Sequence, residues 1–316
     1  MFEFIITRPM GWIIQQIYNL VANYGLSIII FTILIKLVLL PLNIKSQKAM
    51  KKQQKIQPIV AELQEKYKND QEKLQREMMK LYKENNISMA GGCLPMFIQM
   101  PILVGLYQVI QKPLSYLKGV DWMLQETIDK VYMLRDMFAT GNLVGQTEEQ
   151  LANMSQIQLS TWATQHFGTG DPWSINFNFI GLDLSHIPST AINYILRLDF
   201  SDMSKILILL IPLFAVLFSV ITNKVTMAQT GQNNANKNDQ AASMNKSMMW
   251  MMPIMTLFFT FTLPSGLGLY WIISSIMQII QQLALNYYFD KKGEEVVVKV
   301  PEIQQNKHGK KRKNRK

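Results

Sequence analysis

YGLSIIIFTILIKLVLLPL, residues 24 to 42, is an apolar run about as long as a membrane crossing, and it contains a single charge, Lys36, with no acidic residue inside the run. A lone ammonium at a helix centre in hydrocarbon costs about 2.5–3.5 kcal/mol even on the lenient insertion scale, so it requires water, a partner or a task. Two readings stand. Lys36 lies about six residues, roughly 9 Å of helix rise, before the basic stretch after Pro41, and its stem can snorkel most of that way. The alternative is a wet cavity facing the ammonium.

Working outward, further apolar runs lie near Leu94 to Ile110, Ile206 to Thr222, Met248 to Leu263 and Leu267 to Leu285. With 316 residues, 48% hydrophobic content and a mean hydropathy just above zero, the chain reads as polytopic, with sizeable soluble segments. Several runs are short for a hydrocarbon core of about 30 Å, which implies tilt or local thinning. The expected fold is all-α: five transmembrane helices at 24–42, 92–112, 205–222, 247–263 and 266–285, with an N-terminal interfacial amphipathic helix over 1–23. Two cytoplasmic segments, a helical hairpin at 43–91 and a loop at 223–246 with little to form a core, join an extracellular region at 113–204 and a basic tail at 286–316.

Charge sets the orientation. Residues 43 to 91 hold 11 basic against 6 acidic residues, 111 to 205 hold 6 against 10, 223 to 246 hold 3 against 1, and 286 to 316 hold 10 against 4. The basic segments alternate with the acidic one as five spans require, which puts the N-terminus outside and the C-terminus in the cytoplasm of a bacterial plasma membrane. In the hairpin, Ile56, Ile59, Val60, Leu63 and Tyr67 form one apolar stripe and Leu74, Met78, Leu81 and Tyr82 the other. In the N-terminal helix Trp12, Ile13, Ile17, Leu20 and Val21 fall near helical spacing. The outer region carries two expected helices, about Trp122 to Phe138 and Thr147 to His166.

Enzymatic chemistry finds no support. Cys93 is the single cysteine, and His166, His186 and His308 all fall outside the expected spans. No HExxH, GxSxG or phosphate-loop pattern is present, and no nucleophile has a base nearby inside the spans. No metal or other cofactor is expected. Instead, polar residues recur within the spans: Thr32 and Lys36 four apart on one helix face, Gln99 in the second span, Ser219 and Thr222 in the third, Thr256 and Thr260 in the fourth, and Ser274, Ser275, Gln278, Gln281 and Gln282 in the fifth. Such groups need water or partners in lipid. Serines and threonines alone fit interhelical hydrogen bonding; with Lys36 added, a wet groove is favoured. The tail ends HGKKRKNRK, and Lys310, Lys311, Arg312, Lys313, Arg315 and Lys316 would attract an anionic membrane surface or RNA phosphate.

Several motifs together resemble the YidC/Oxa/Alb family of membrane protein insertases: GLSIIIFTILIKLVLLPL at Gly25 to Leu42, IQP at Ile56 to Pro58, KLYKE at Lys80 to Glu84, GGCLPMFIQMPILVGLY at Gly91 to Tyr107 and LPSGLGLYWIISSIMQIIQQ at Leu263 to Gln282. FIGLDLS at Phe179 to Ser185 is a weaker match. The compact start resembles the Gram-positive forms. The resemblance implies five spans around a hydrophilic groove open to cytoplasm and lipid but closed toward the outside, with Lys36 lining it; Thr32, Gln99, Ser219, Thr222, Thr256, Thr260, Trp271, Ser274, Ser275 and Gln278 are the other residues expected to line it. It also implies partners: nascent membrane proteins, the ribosome through the basic tail, the Sec translocon, the lipid bilayer, and the signal recognition particle with its receptor. At the position of Lys36 the family usually has arginine; lysine keeps the charge but not the five-donor fork. Ser275 stands where the family commonly has asparagine, and Ile87 and Ser88 replace an Asn-Pro pair. A secondary transporter, for which the spans show no convincing inverted repeat, and an assembly chaperone are the rival readings.

Overall fold

The computed structural model describes residues 2–87, 94–119, 156–197, 203–230 and 240–291. A π-helical turn, Glu3–Thr7, runs into α1 (Arg8–Val21), and then come α2 (Tyr24–Val38), α3 (Leu40–Lys66), α4 (Gln71–Glu84), α5 (Leu94–Gln111) and α6 (Pro113–Leu117). After α7 (Gln156–Phe167) a two-stranded antiparallel hairpin, β1 (Asn178–Phe179) and β2 (Leu182–Asp183), departs from the all-α expectation. Ile180 and Gly181 both have positive φ, 54° and 77°, the geometry of a tight two-residue hairpin turn. The short helices α8 (Ala191–Leu196) and α9 (Met203–Leu207) lead to α10 (Leu210–Thr230), α11 (Gln240–Thr262) and α12 (Ser265–Lys291).

By length and composition α10 (Leu210–Ala228) and α12 (Ser265–Phe289) can cross a membrane, and α2 with α3 makes a third candidate if the bent pair counts as one span. The chain is thus a mostly helical, polytopic membrane protein. Met251–Thr262 is a shorter apolar helix. Exposed Leu37, Leu213, Leu217, Ile254, Phe258 and Leu283 turn outward from these helices, where lipid rather than water makes such exposure favourable.

Three boundaries differ from the sequence expectation. The first span does not run to residue 42: α2 ends at Val38 and α3 departs at 60° from it. Pro41 lacks an N–H, so the carbonyl of Leu37 loses its helical donor and the helix breaks there. The third span breaks at 208–209 and then continues to Thr230 rather than stopping at 222, and α11 begins at Gln240. The residues expected to form an irregular loop from 223 to 246 are therefore helical over 223–230 and 240–246, because Asn, Gln, Ala and Lys make little core but do not oppose a helix already nucleated by its apolar half. Of the two expected outer helices, Trp122 to Phe138 lies outside the described residues and the second is seen over Gln156–Phe167.

The N-terminal helix is amphipathic, and one face of it packs on the rest of the chain. Met10, Ile14, Ile17 and Tyr18 are buried, whereas Trp12 and Leu20 are exposed. The buried face is held by close contacts: a Cβ on Gly11 would meet the Tyr116 ring at 2.4 Å, and one on Gly105 would meet Met10 Sδ at 2.9 Å, so α1 lies directly against α6 and α5. The α3–α4 hairpin follows its sequence closely. Ile56, Val60, Leu63, Leu81 and Ile87 form its core, with Ile59, Tyr67, Leu74, Met78 and Tyr82 packed around them. Asp70 caps α4 by accepting from the Lys73 N–H, and burial pushes the Tyr82 hydroxyl above its ordinary pKa.

The body of the molecule is α2, α10, α11 and α12. α12 packs on α10 and on α2, and α10 packs on α11. Glycine permits this closeness: a Cβ on Gly268 would come within 2.4 Å of Ile211 Cγ2, and one on Gly266 would meet Tyr24 at 2.9 Å. Small residues at helix crossings are how apolar helices associate without a hydrophobic driving force between them.

Candidate functional site

One end of the body is sealed by polar ties. Asn23 caps α2 by accepting from the Leu26 N–H, and its Nδ2 donates to the carbonyl of Asn178 at 2.8 Å. The Tyr24 N–H donates to the Asn176 carbonyl, and a Cβ on Gly25 would meet the Phe179 ring at 2.5 Å. Ser265 gives both its N–H and its Oγ to the His186 carbonyl. The stretch from Asn176 to His186, which includes FIGLDLS, thus fastens the starts of α2 and α12 together, at the end of α2 remote from the hairpin. The motifs GLSIIIF, FIGLDLS and LPSGLG, read separately in the sequence, meet there.

Toward the other end, α2 turns Ile28, Phe31, Thr32 and Lys36 inward, and Lys36 is only 7% exposed. Its position in the last turn places the ammonium near the negative end of the helix dipole. Among the described residues no carboxylate forms an ion pair with it. Thr32, one turn earlier, spends its hydroxyl on the Ile28 carbonyl at 2.6 Å.

The other expected groove residues divide. Thr260 donates to Thr256 O and Thr222 to Phe218 O, each within its own helix. Ser219 meets Thr256 at 3.5 Å between α10 and α11, and Thr222 meets the Ser275 carbonyl at 3.5 Å between α10 and α12. Gln99 of α5 donates to the Tyr270 hydroxyl of α12. Trp271 stacks on Phe259 with ring centroids 6.1 Å apart. Ser274 is buried and Gln278 half-buried on the same helix. Ser219, Thr222, Thr256 and Thr260 therefore sit at the α10–α11–α12 contacts, whereas Lys36 and Thr32 belong to α2 and Gln99 to the α5–α12 contact. The tail residues Lys310 to Lys316 lie outside the described residues.

A polar seam near Lys36 escaped the site assignment made from sequence. Asn43 Nδ2 donates to Gln281 Oε1 at 3.1 Å, Gln281 Nε2 donates to the Lys36 carbonyl at 3.1 Å, and Gln282 Nε2 donates to Thr226 Oγ1 at 2.9 Å. Gln47 and Asn286 meet at 3.4 Å. The available signal was spacing: Asn43 and Gln47 are four apart, as are Gln282 and Asn286, so each pair shares a helix face.

Against this geometry the comparisons with known proteins are consistent. The model of the family described as 60Kd inner membrane protein matches residues 16–292. The chain belongs to that family, the YidC/Oxa insertase family. Among its relatives, membrane protein insertase YidC 2 of Listeria innocua is 30% identical over 316 residues, covering 98% of this chain and 81% of that protein. Membrane protein insertase YidC of Clostridium perfringens is 35% identical over 218 residues, 68% of this chain and 80% of that protein. A shorter stretch of 105 residues, 33% of this chain, is 49% identical to membrane protein insertase YidC of Nitratidesulfovibrio vulgaris. The family match spans both the Lys36 helix and the α10–α11–α12 body.

Proposed function

We propose that the chain is a membrane protein insertase that receives nascent membrane proteins with short, often acidic outer tails in a hydrophilic groove and releases them sideways into lipid. The observation that carries the reading is Lys36: a cation buried among membrane helices, with no ion-pair partner among the described residues. The five spans, the orientation with the N-terminus outside and the C-terminus in the cytoplasm, and the groove lining beyond Lys36 belong to the same proposal. The bundle end tied by the FIGLDLS segment is its outer, closed end.

An arriving tail keeps water around its polar backbone inside the groove, and the Lys36 ammonium lowers the cost of its carboxylates. The apolar segment then partitions into lipid, where burial at about 25 cal/mol per Å² supplies the driving force. No bond is made or broken and no nucleotide is required. In bacteria the outside is positive, so the membrane potential assists acidic tails. The α3–α4 hairpin receives the chain, and the basic tail holds a ribosome through rRNA phosphates, with the Sec translocon, the signal recognition particle and its receptor as further partners.

The rival reading with a specific observation behind it is an assembly chaperone, since exposed apolar residues such as Leu213 and Phe258 would also fit a finished membrane helix. Insertion of an acidic-tailed single-span substrate into liposomes holding only the purified chain separates the two: an insertase yields protease-protected substrate, a chaperone does not.

A further inference from the structure

The break between α2 and α3 is bridged from a third helix. Helix breaks leave carbonyls without donors. At this one, Leu39 (φ −83°, ψ −3°) ends α2, its N–H reaches Ile35 O, and Asn43 N–H returns to Leu39 O, so the chain restarts on a new axis. The carbonyl of Lys36, in the last turn of α2, receives Gln281 Nε2 at 3.1 Å; the same side-chain amide accepts from Asn43 Nδ2 in the first turn of α3. One glutamine on α12 therefore holds the last turn of α2 with its donor and the first turn of α3 with its acceptor. An amide is suited to this, because it offers a donor nitrogen and an acceptor oxygen on one carbon without carrying a charge.

The seam continues along α12 and α3. Gln47 meets Asn286, and Gln54 Nε2 reaches the Ala228 carbonyl at the end of α10. Two buried atoms in it, Ser46 Oγ and Gln282 Oε1, have no hydrogen-bond partner within the described structure. A contact assembled from amides and holding unspent polar groups is specific in register yet separable, unlike the apolar α10–α12 contact at Gly268. The bend at Leu39 fixes where the hairpin points, and the carbonyl clasped at the bend belongs to the residue that carries the buried ammonium.

We propose that Gln281 is a positioning residue: with Asn43 it clasps the α2–α3 break and thereby sets both the direction of the cytoplasmic hairpin and the placement of Lys36 for the arriving chain. Only the functional half of this inference rests on the insertase reading; the structural half stands apart from it.

The test uses the full chain in liposomes or nanodiscs, with Cys93→Ser and spin labels on cysteines replacing the exposed Lys68 at the hairpin tip and Lys291 at the end of α12. The distance distribution between the labels should broaden or shift in Gln281→Leu, and insertion of an acidic-tailed substrate should fall about fivefold or more, a factor of about five being the scale of each neutral hydrogen bond lost. Asn43→Ala, which leaves α12 intact, should broaden the distribution in the same sense, and the Asn43→Ala/Gln281→Leu pair should be no worse than Gln281→Leu alone. A distribution unchanged in both single variants overturns the clasp. A changed distribution with wild-type insertion overturns its positioning role while leaving the insertase reading in place. Absence of insertion by the unsubstituted chain counts against that reading, and the label distances still decide the clasp.

Discussion

Two sets of buried polar side chains share this membrane body and are built in opposite ways. Along α10, α11 and α12, Thr222, Thr256, Thr260 and Ser219 close their hydrogen bonds within the bundle, on carbonyls of their own helix or on a hydroxyl across the contact. On α2, Lys36 is just as enclosed, yet among the described residues no carboxylate answers it. A closed set needs nothing from outside and serves packing; an open charge in a low-dielectric body favours the approach of an opposite charge. Residue type alone does not separate the two sets, because threonine and lysine are both polar; the destination of each hydrogen bond does.

That contrast is broken or sharpened most strongly at Lys36. Lys36→Glu should abolish insertion of acidic-tailed substrates. Lys36→Ala should reduce it by about tenfold or more, each factor of ten being about 1.4 kcal/mol, while Lys36→Arg should retain it, all scored by protease protection. Loss in the arginine form as well would mean that shape rather than charge is read. Next in size, Leu81→Ala removes a fully buried side chain from the hairpin and should destabilise it by about 2–5 kcal/mol. Hydrogen exchange should then rise over 56–87 and stay unchanged in α10 and α12; a rise throughout would show that hairpin and body unfold as one unit.

Gly268→Ala drives a methyl to within 2.4 Å of Ile211 Cγ2 and should cost about 1–3 kcal/mol, read as a lower Tm in detergent. Smallest is the closed set itself. Ser219→Ala or Thr256→Val should change stability by about 0.6 kcal/mol, the average for interhelical hydrogen bonds in a membrane, and leave insertion intact. A large insertion defect in either would move these residues from packing into the groove.

Much of this was legible in the sequence, and the failures have physical causes. The hairpin was legible residue by residue, since its two stripes are local periodicities and the structure closes Ile56, Val60 and Leu63 on Leu81. Lys36 stood out because a charge in an apolar run carries a cost that no acidic residue within the run offsets. The α2–α3 break was missed although Pro41 was an available signal, and its direction could not be read locally, because Gln281 bonds the last turn of α2 from 245 residues away. The packed face of the N-terminal helix was hidden for the same reason: Gly11 against Tyr116 is a tertiary contact that local spacing does not announce. The helical overrun of α10 to Thr230 was missed because low hydropathy ends a membrane run without ending a helix.

The central claim is that the buried charge of Lys36 does work on an arriving chain. The direct measurement is insertion of a single-span substrate with an acidic tail into liposomes holding only this protein, unsubstituted against Lys36→Ala, scored by protease protection. Efficient protection with the unsubstituted chain and its loss with alanine is the predicted result. Equal protection by both would contradict the claim and leave Lys36 as a lysine reaching for the membrane surface.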